Sequence, residues 1–381
     1  MSTDIEVRAA PEATRLPAEQ SLVEEDMPRP LSAKSFDDHA SLIGCFLASL
    51  ALVWLIYEKL LAWSGGVGFI ICCWLMFLVM YAGVTAIANP RTAVTDRLMS
   101  AIMHSGAALV GFVLASIVVY VFVKGWPALH HSNFYTHDMA GVRPTAPLSQ
   151  GGIAHALVGT AIQVGIATAI SLPLGVGTAI YLSEVGGRIA NTVRTVVEAM
   201  TALPDILAGL FIYTVLIIGL HWERTGLTVG LALAVTMTPI IARSAEVVLR
   251  VVPGGLREAG LALGASAWQT VWHVVLPTAR AGLATSLILG VARVAGETAP
   301  LLIVSGLTSY FNADPLTNPM NSLPLFIFGA IRSGEPNYIA RGYGGAAVLL
   351  TFVLVLFAAT RFLARNRVAA APRPRASVVE A

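Results

Sequence analysis

Eight apolar runs leave this chain few ways to fold. They cover about residues 41–63, 66–88, 101–124, 153–182, 199–220, 226–249, 281–306 and 344–364, and the hydrocarbon core of a bilayer asks for about 20 such residues per helix. Backbone polar groups in lipid must be satisfied internally, so runs of this length span as helices. Of the 381 residues, 56% are hydrophobic and 12% charged, with mean hydropathy +0.74; a soluble chain carries about 25% charged residues. The expected fold class is an all-α polytopic membrane protein with about eight transmembrane helices.

Charge then orients the runs. With the N-terminus inside, the inner segments hold 17 Lys and Arg and the outer segments six (Lys59, Lys124, Arg143, Arg224, Arg332 and Arg341), and Arg293, inside a run, completes the 24. Lys and Arg accumulate in cytoplasmic loops, so both termini are expected in the cytoplasm. The net charge of +2 is too small for a nucleic-acid-binding surface. Residues 1–40 are acidic and Pro-containing with no apolar periodicity, and are expected to form a disordered cytoplasmic tail. They lack the basic start and small-residue cleavage site of a secretory signal, so no removal is expected. The three cysteines, Cys45, Cys72 and Cys73, lie within apolar runs and give no disulfide or metal-ligand spacing.

This orientation makes 250–280 a cytoplasmic loop and makes 125–152 and 307–343 two long external loops. The external loops are rich in Pro, Gly and Asn, which predicts irregular connections with one short helix near Leu323 to Ile331. In the cytoplasmic loop, Pro253 and the pair Gly254-Gly255 end the preceding helix, Leu256 to Leu263 form a short helix, and Gly264 permits a sharp turn. Ser266 and Gln269 have capping-box spacing for a second helix, which Pro277 is expected to stop. Small residues at Ala259, Gly260 and Ala262 would let another protein approach this knob closely. The pattern Glu258-Ala259-Gly260, Gly264, then nine residues and Val274-Val275-Leu276-Pro277 resembles the EAA motif of ABC importer permeases. Gly260 stands for the second Ala of the motif and Val274 for its Ile, both conservative in size. The resemblance implies that Glu258, Ala259, Gly260, Gly264, Leu276 and Pro277 form the loop that couples to an ATPase subunit. The chain has no phosphate-cradling sequence of its own, since its only lysines, Lys34, Lys59 and Lys124, lack that context. It is expected to be no enzyme and to bind no cofactor, with ATP and Mg used by a separate subunit.

Arg293 and Glu297 lie near the middle of the run 281–306, where an ionisable group costs at least about 2.5 kcal/mol on insertion scales and marks a functional site by default. Four residues apart on one helix, they would share a face. An intrahelical pair that only neutralises itself is the alternative, but Arg ahead of Glu is the weaker order for such a pair. The planar guanidinium suits a tetrahedral oxyanion. The segment Arg293 to Leu301, with Glu297-Thr298-Ala299-Pro300, is similar to the corresponding segment of the PstA family of phosphate importer permeases. So are Gly151-Gly152-Ile153 with Gly159-Thr160, Leu172 to Gly175 running to Glu184, and Leu323-Pro324.

The likeness covers roughly residues 100–365. It implies a six-helix type I ABC importer permease core at 100–368, with two additional N-terminal helices at 41–99 and a cytoplasmic tail at 369–381. It also implies a substrate pathway through Arg293, Glu297 and Thr298 and a place in the bacterial plasma membrane. The implied partners are a PstC-like permease, two PstB-like ATPase subunits and an external phosphate-binding protein. A permease for molybdate, tungstate or sulfate, or a gradient-driven secondary transporter, are the alternatives. His130, His131, His137 and Asp138 cluster in an external loop, but adjacent histidines there read as solvated rather than as a metal site. Pro204-Asp205 and Thr238-Pro239 interrupt two runs, as a pathway break or as a bend, and Asp205 is a further site candidate without an assigned role.

Overall fold

A computed structural model describes residues 36–61 and 65–368, and among them every regular element is helical. The expected tails at 1–35 and 369–381 lie outside the described residues. Among the described residues seven helices are long and apolar enough to span a bilayer, and a bent helix pair counts as an eighth if it crosses as one span. The chain divides into two compact units at Val113/Leu114.

The first unit holds α1 (Phe36–Trp54), α2 (Gly66–Ala88) and the first half of α3 (Arg91–Leu129). α1 runs on through a π turn, Leu55–Leu60, and the Tyr57 hydroxyl donates to the Gly65 carbonyl at 3.0 Å to close the connection. Trp74 on α2 donates its indole N–H to the Ser105 hydroxyl on α3 at 3.1 Å, the kind of polar contact that joins helices in a bilayer.

The second unit continues α3 and adds α4 (Asn133–Thr136), α5 (Ala154–Ile180), α6 (Gly187–Ala202), α7 (Asp205–Ile212), α8 (Gly226–Val251), α9 (Gly254–Ala262), α10 (Ala267–Thr270), α11 (Leu276–Ala295), α12 (Ala299–Val304), α13 (Leu323–Arg332) and α14 (Pro336–Val368). Its centre is α8, packed chiefly on α5 and α11. Thr225 and Thr228 form a reciprocal capping box that starts α8. Val229, Leu233, Met237 and Ile241 then recur at four-residue steps along a fully buried stripe, against Ala167, Ile212, Val294 and Leu301. Pro239 does not break this helix. The hydroxyls of Thr238 and Ser171 both donate to the Ala234 carbonyl (2.7 and 3.2 Å), one residue before the Val235 carbonyl that the proline leaves without its helical N–H.

The run 199–220 is not one straight helix, and Pro204-Asp205 interrupts it as the sequence indicated. α6 and α7 meet at 101° around Leu203-Pro204, because Pro204 lacks an N–H and disfavours helical backbone at Leu203, which is extended with ψ 136°. The run 281–306 is also not one helix: α11 ends at Ala295 and α12 begins at Ala299. Pro277 does not stop a helix either. α10, a π turn at Val271–Val275 and α11 form one continuous helix over Ala267–Ala295; Pro277 follows the π turn, where the Leu276 N–H donates to the Val271 carbonyl five residues back, and such a widened turn takes up the irregularity that a mid-helix proline imposes.

At the opposite end from α9 and α10, the long loops fold onto each other. Asp138 accepts from the Phe311 N–H at 2.8 Å, and the Met139 N–H donates to the Ser309 carbonyl. The short helix expected near 323–331 is α13, whose Leu323, Phe326 and Ala330 pack on Phe134, Ile153 and Ala156. Arg341, read as a loop charge, instead lies in α14 and is 1% exposed, with one nitrogen donating to the carbonyls of Ala146, Pro147 and Gln150.

Candidate functional site

Arg293 stands in the last turn of α11, where the helix fails. Gly296 caps it and Pro300 prevents its direct continuation, so Glu297 and Thr298 occupy a three-residue break rather than a helix face. Thr298 becomes the N-cap position of α12 with no side-chain capping bond. Arg293 and Glu297 still meet, at 3.9 Å from Nε to Oε1, but a third group reaches the guanidinium more closely: Asp205 Oδ2 lies 3.3 Å from Arg293 Nη2.

Asp205 is brought there by two features of α7. It follows Pro204 as the first residue of the helix, where a negative charge is favoured by the helix dipole. One turn on, Gly209 lies so close to α12 that an added Cβ would sit 2.6 Å from Pro300 Cα; only glycine allows this approach, and it sets the start of α7 beside the end of α11. The site is thus one guanidinium between two carboxylates, all at broken helix ends. Arg293 is 55% exposed, Asp205 30% and Glu297 15%.

The guanidinium faces a cavity of about 860 Å³ lined by Thr201, Asp205, Thr236, Arg243, Ser244 and Arg293 among apolar side chains of α6, α7, α8 and α11. A cationic fork in an apolar-walled space of this size can hold a small oxyanion by paired hydrogen bonds. Among the described residues, no three His, Cys, Asp or Glu side chains gather as a metal site. His130 and His131 instead contact the carbonyls of Trp126 and Pro127 through Nδ1, at 2.9 Å each.

The second region is the hairpin of α9 and α10. Gly264 turns the chain at φ +85°, and the capping box of Ser266 and Gln269 is present in both directions. Glu258 and Ala259 face solvent. Gly260 does not: a Cβ there would lie 3.0 Å from Thr270 Oγ1, so this glycine serves the packing of α9 on α10 rather than an outer surface. The outer surface is apolar, with Leu263 89% and Trp268 62% exposed. Leu276 is half-buried and Pro277 exposed.

Among the described residues Glu258 makes no ion pair that would orient the hairpin. Its neighbour Arg257 does that work. The Arg257 guanidinium grips Glu184, at the end of the π turn following α5, with contacts from 2.9 to 3.3 Å, and donates to the carbonyls of Leu249 (2.9 Å) and Val252 (2.7 Å) at the end of α8. One side chain therefore ties α9 to both central helices. Arg257→Ala is expected to leave the Glu184 carboxylate without its cation and the Val252 carbonyl without its donor, at a cost of about 3 kcal/mol, and to raise hydrogen exchange across 254–275 while α5 stays protected. Sequence reading passed over Arg257 because it sits beside the motif rather than in it.

The family model described as "Binding-protein-dependent transport system inner membrane component" matches residues 171–369, which includes the hairpin, the cavity and the break at 296–298. The "Phosphate transport system permease protein PstA 1" of Mycobacterium tuberculosis (strain CDC 1551 / Oshkosh) is 38% identical over 251 residues, 65% of this chain and 82% of that protein. The "Phosphate transport system permease protein PstA" of Haemophilus influenzae is 32% identical over 274 residues, 71% of this chain and 94% of that protein. Among solved structures, one described as "Inward facing conformations of the MetNI methionine ABC transporter" is 25% identical over 56% of this chain and 94% of that chain, with a TM-score of 0.42. With more than half of its length matched by the family model, and with relatives above 30% identity matched over most of their own length, this chain belongs to the binding-protein-dependent transport system inner membrane components, in their PstA branch.

Proposed function

We propose that this chain is the permease subunit of an ATP-driven importer and passes inorganic phosphate across the plasma membrane. The observation that carries the reading is the Arg293 guanidinium held between Asp205 and Glu297 at broken helix ends in a chain of the PstA branch. Phosphate near neutral pH keeps at least one proton. Arg293 can donate to its oxygens while a carboxylate accepts from its hydroxyl. Sulfate has no proton to give and would leave a carboxylate facing an unpaired oxygen of like charge.

The apolar cap of the α9–α10 hairpin, with Leu263 and Trp268, suits docking by an ATPase subunit that hydrolyses ATP with Mg. Two such PstB-like subunits, a PstC-like permease that completes the cavity wall, and an external phosphate-binding protein that docks on the loops 125–152 and 307–343 make up the proposed assembly. The 17-to-6 bias of basic residues supports cytoplasmic termini and a cytoplasmic hairpin.

Uptake of labelled phosphate against excess sulfate, molybdate or tungstate tests the substrate. Phosphate uptake that persists supports the reading, and uptake of one competitor in its place overturns it. Within that assay, Glu297→Gln is expected to raise sulfate competition about tenfold, the equivalent of one hydrogen bond, with a smaller loss in phosphate rate.

A further inference from the structure

The cavity beside Arg293 contains a second arginine whose placement repeats the first. Arg293 on α11 pairs with Asp205 at the start of α7, and Arg243 on α8 pairs with Glu198 on α6, Nη1 to Oε1 at 2.7 Å. Both arginines line the same cavity. Both carboxylates belong to the α6–α7 pair that is bent by 101° between them. Among the described residues, Nη1 makes the only hydrogen bond of the Arg243 guanidinium, so its other donors are available to the cavity.

The packing register gives the spacing. An added Cβ at Gly290 of α11 would meet Met237 and Ile241 of α8, and one at Gly282 would meet Val248, so the two helices run antiparallel and Arg293 lies level with about Thr236. Arg243 is seven residues further along α8, which at 1.5 Å per residue is about 10 Å toward the hairpin end. The wall between the two levels is largely apolar, with Leu289 and Ile240 facing the space. Among the described residues, a multiply charged anion leaving Arg293 would meet no other cationic side chain in the cavity before Arg243.

We propose that Arg243 is a second station for the tetrahedral oxyanion, on the hairpin side of the Arg293 site, with Glu198 as its exchangeable counter-ion. An anion arriving at either station replaces a carboxylate as the partner of the guanidinium, so neither arginine is left unpaired at any stage. The released carboxylate sits on the α6–α7 pair in both cases, and occupancy of each station therefore frees a different arm of one bent element. This inference rests on the phosphate-permease reading.

The test uses the assembled importer in inside-out vesicles, with Cys45, Cys72 and Cys73 replaced by Ser and a reporter cysteine at Thr236 or at Ser244. Modification by a charged thiol reagent is measured against inorganic phosphate. Phosphate should protect both reporters. Adding Arg243→Gln should raise the half-protecting concentration at position 244 at least about tenfold, the equivalent of one charge-assisted hydrogen bond, while protection at position 236 persists. Glu198→Gln should lower that concentration at position 244, because the counter-ion is gone; a merely structural pair would weaken protection when either partner is removed. Protection at 236 but not at 244, or equal protection at 244 with and without Arg243, overturns the second station and leaves the phosphate reading intact. Protection at neither position overturns both.

Discussion

Arg293→Gln is expected to lower phosphate uptake by the assembled importer at least about 100-fold, since losing two hydrogen bonds of a charged donor at about 1.5 to 3 kcal/mol each removes that much binding. The substitution keeps the length and a polar tip but removes the charge and the fork. It also leaves Asp205 and Glu297 side by side without the cation now between them, and so converts an anion-accepting site into an anion-repelling one. Arg293→Lys should recover only part of the loss, because an ammonium restores the charge without the planar pair of donors. Amounts of permease and of co-purifying ATPase measured alongside uptake separate this outcome from failed assembly. Wild-type uptake by Arg293→Gln would mean that the cluster only fastens α7 to the end of α11.

Leu263→Glu is expected to abolish recovery of the ATPase subunit with the permease. Leu263 stands at the turn of the α9–α10 hairpin, 89% exposed, and no other described element of this chain covers it. An apolar side chain at the tip of an interface contributes about 2 kcal/mol or more when it is an anchor, and a buried unpaired carboxylate in its place adds a further penalty. The loss should therefore exceed about 100-fold in apparent affinity. Gly260→Trp should also block assembly, but by a different route: the new side chain would collide with Thr270 and force α9 from α10. Hydrogen exchange separates the two, with the hairpin intact in Leu263→Glu and loosened in Gly260→Trp. An ATPase that still co-purifies with Leu263→Glu would place the docking surface elsewhere.

Hydropathy located seven spanning helices and a bent pair in the place of the eighth, because bilayer thickness makes length and apolarity nearly sufficient. It does not register the bend at Pro204, which only the proline signalled, or the break at Gly296, since mean hydropathy stays high across both. Those two irregularities create the site. Arg293 and Glu297 were found as charges in an apolar run, but their spacing assumed a continuous helix that Gly296 and Pro300 do not permit. Asp205, the closer partner of Arg293, lies 88 residues away in sequence, and no local pattern ties the two. The hairpin was legible to its caps, because Gly264 and the Ser266–Gln269 pair are local chemistry. The facing of Gly260 and the grip of Arg257 on Glu184 depend on how helices pack, which one chain of letters does not encode at short range.

The central claim is that this chain, driven by a separate ATPase, moves phosphate through the Arg293 cavity. Its most direct test is purification of the chain with its co-expressed permease and ATPase partners, reconstitution into proteoliposomes with the binding protein outside, and measurement of labelled phosphate accumulated inside. The account predicts accumulation that requires ATP and Mg on the hairpin side, persists without any ion gradient, and is lost with Arg293→Gln. Accumulation driven by a proton or sodium gradient without ATP, or ATP-driven uptake unaffected by Arg293→Gln, would contradict it.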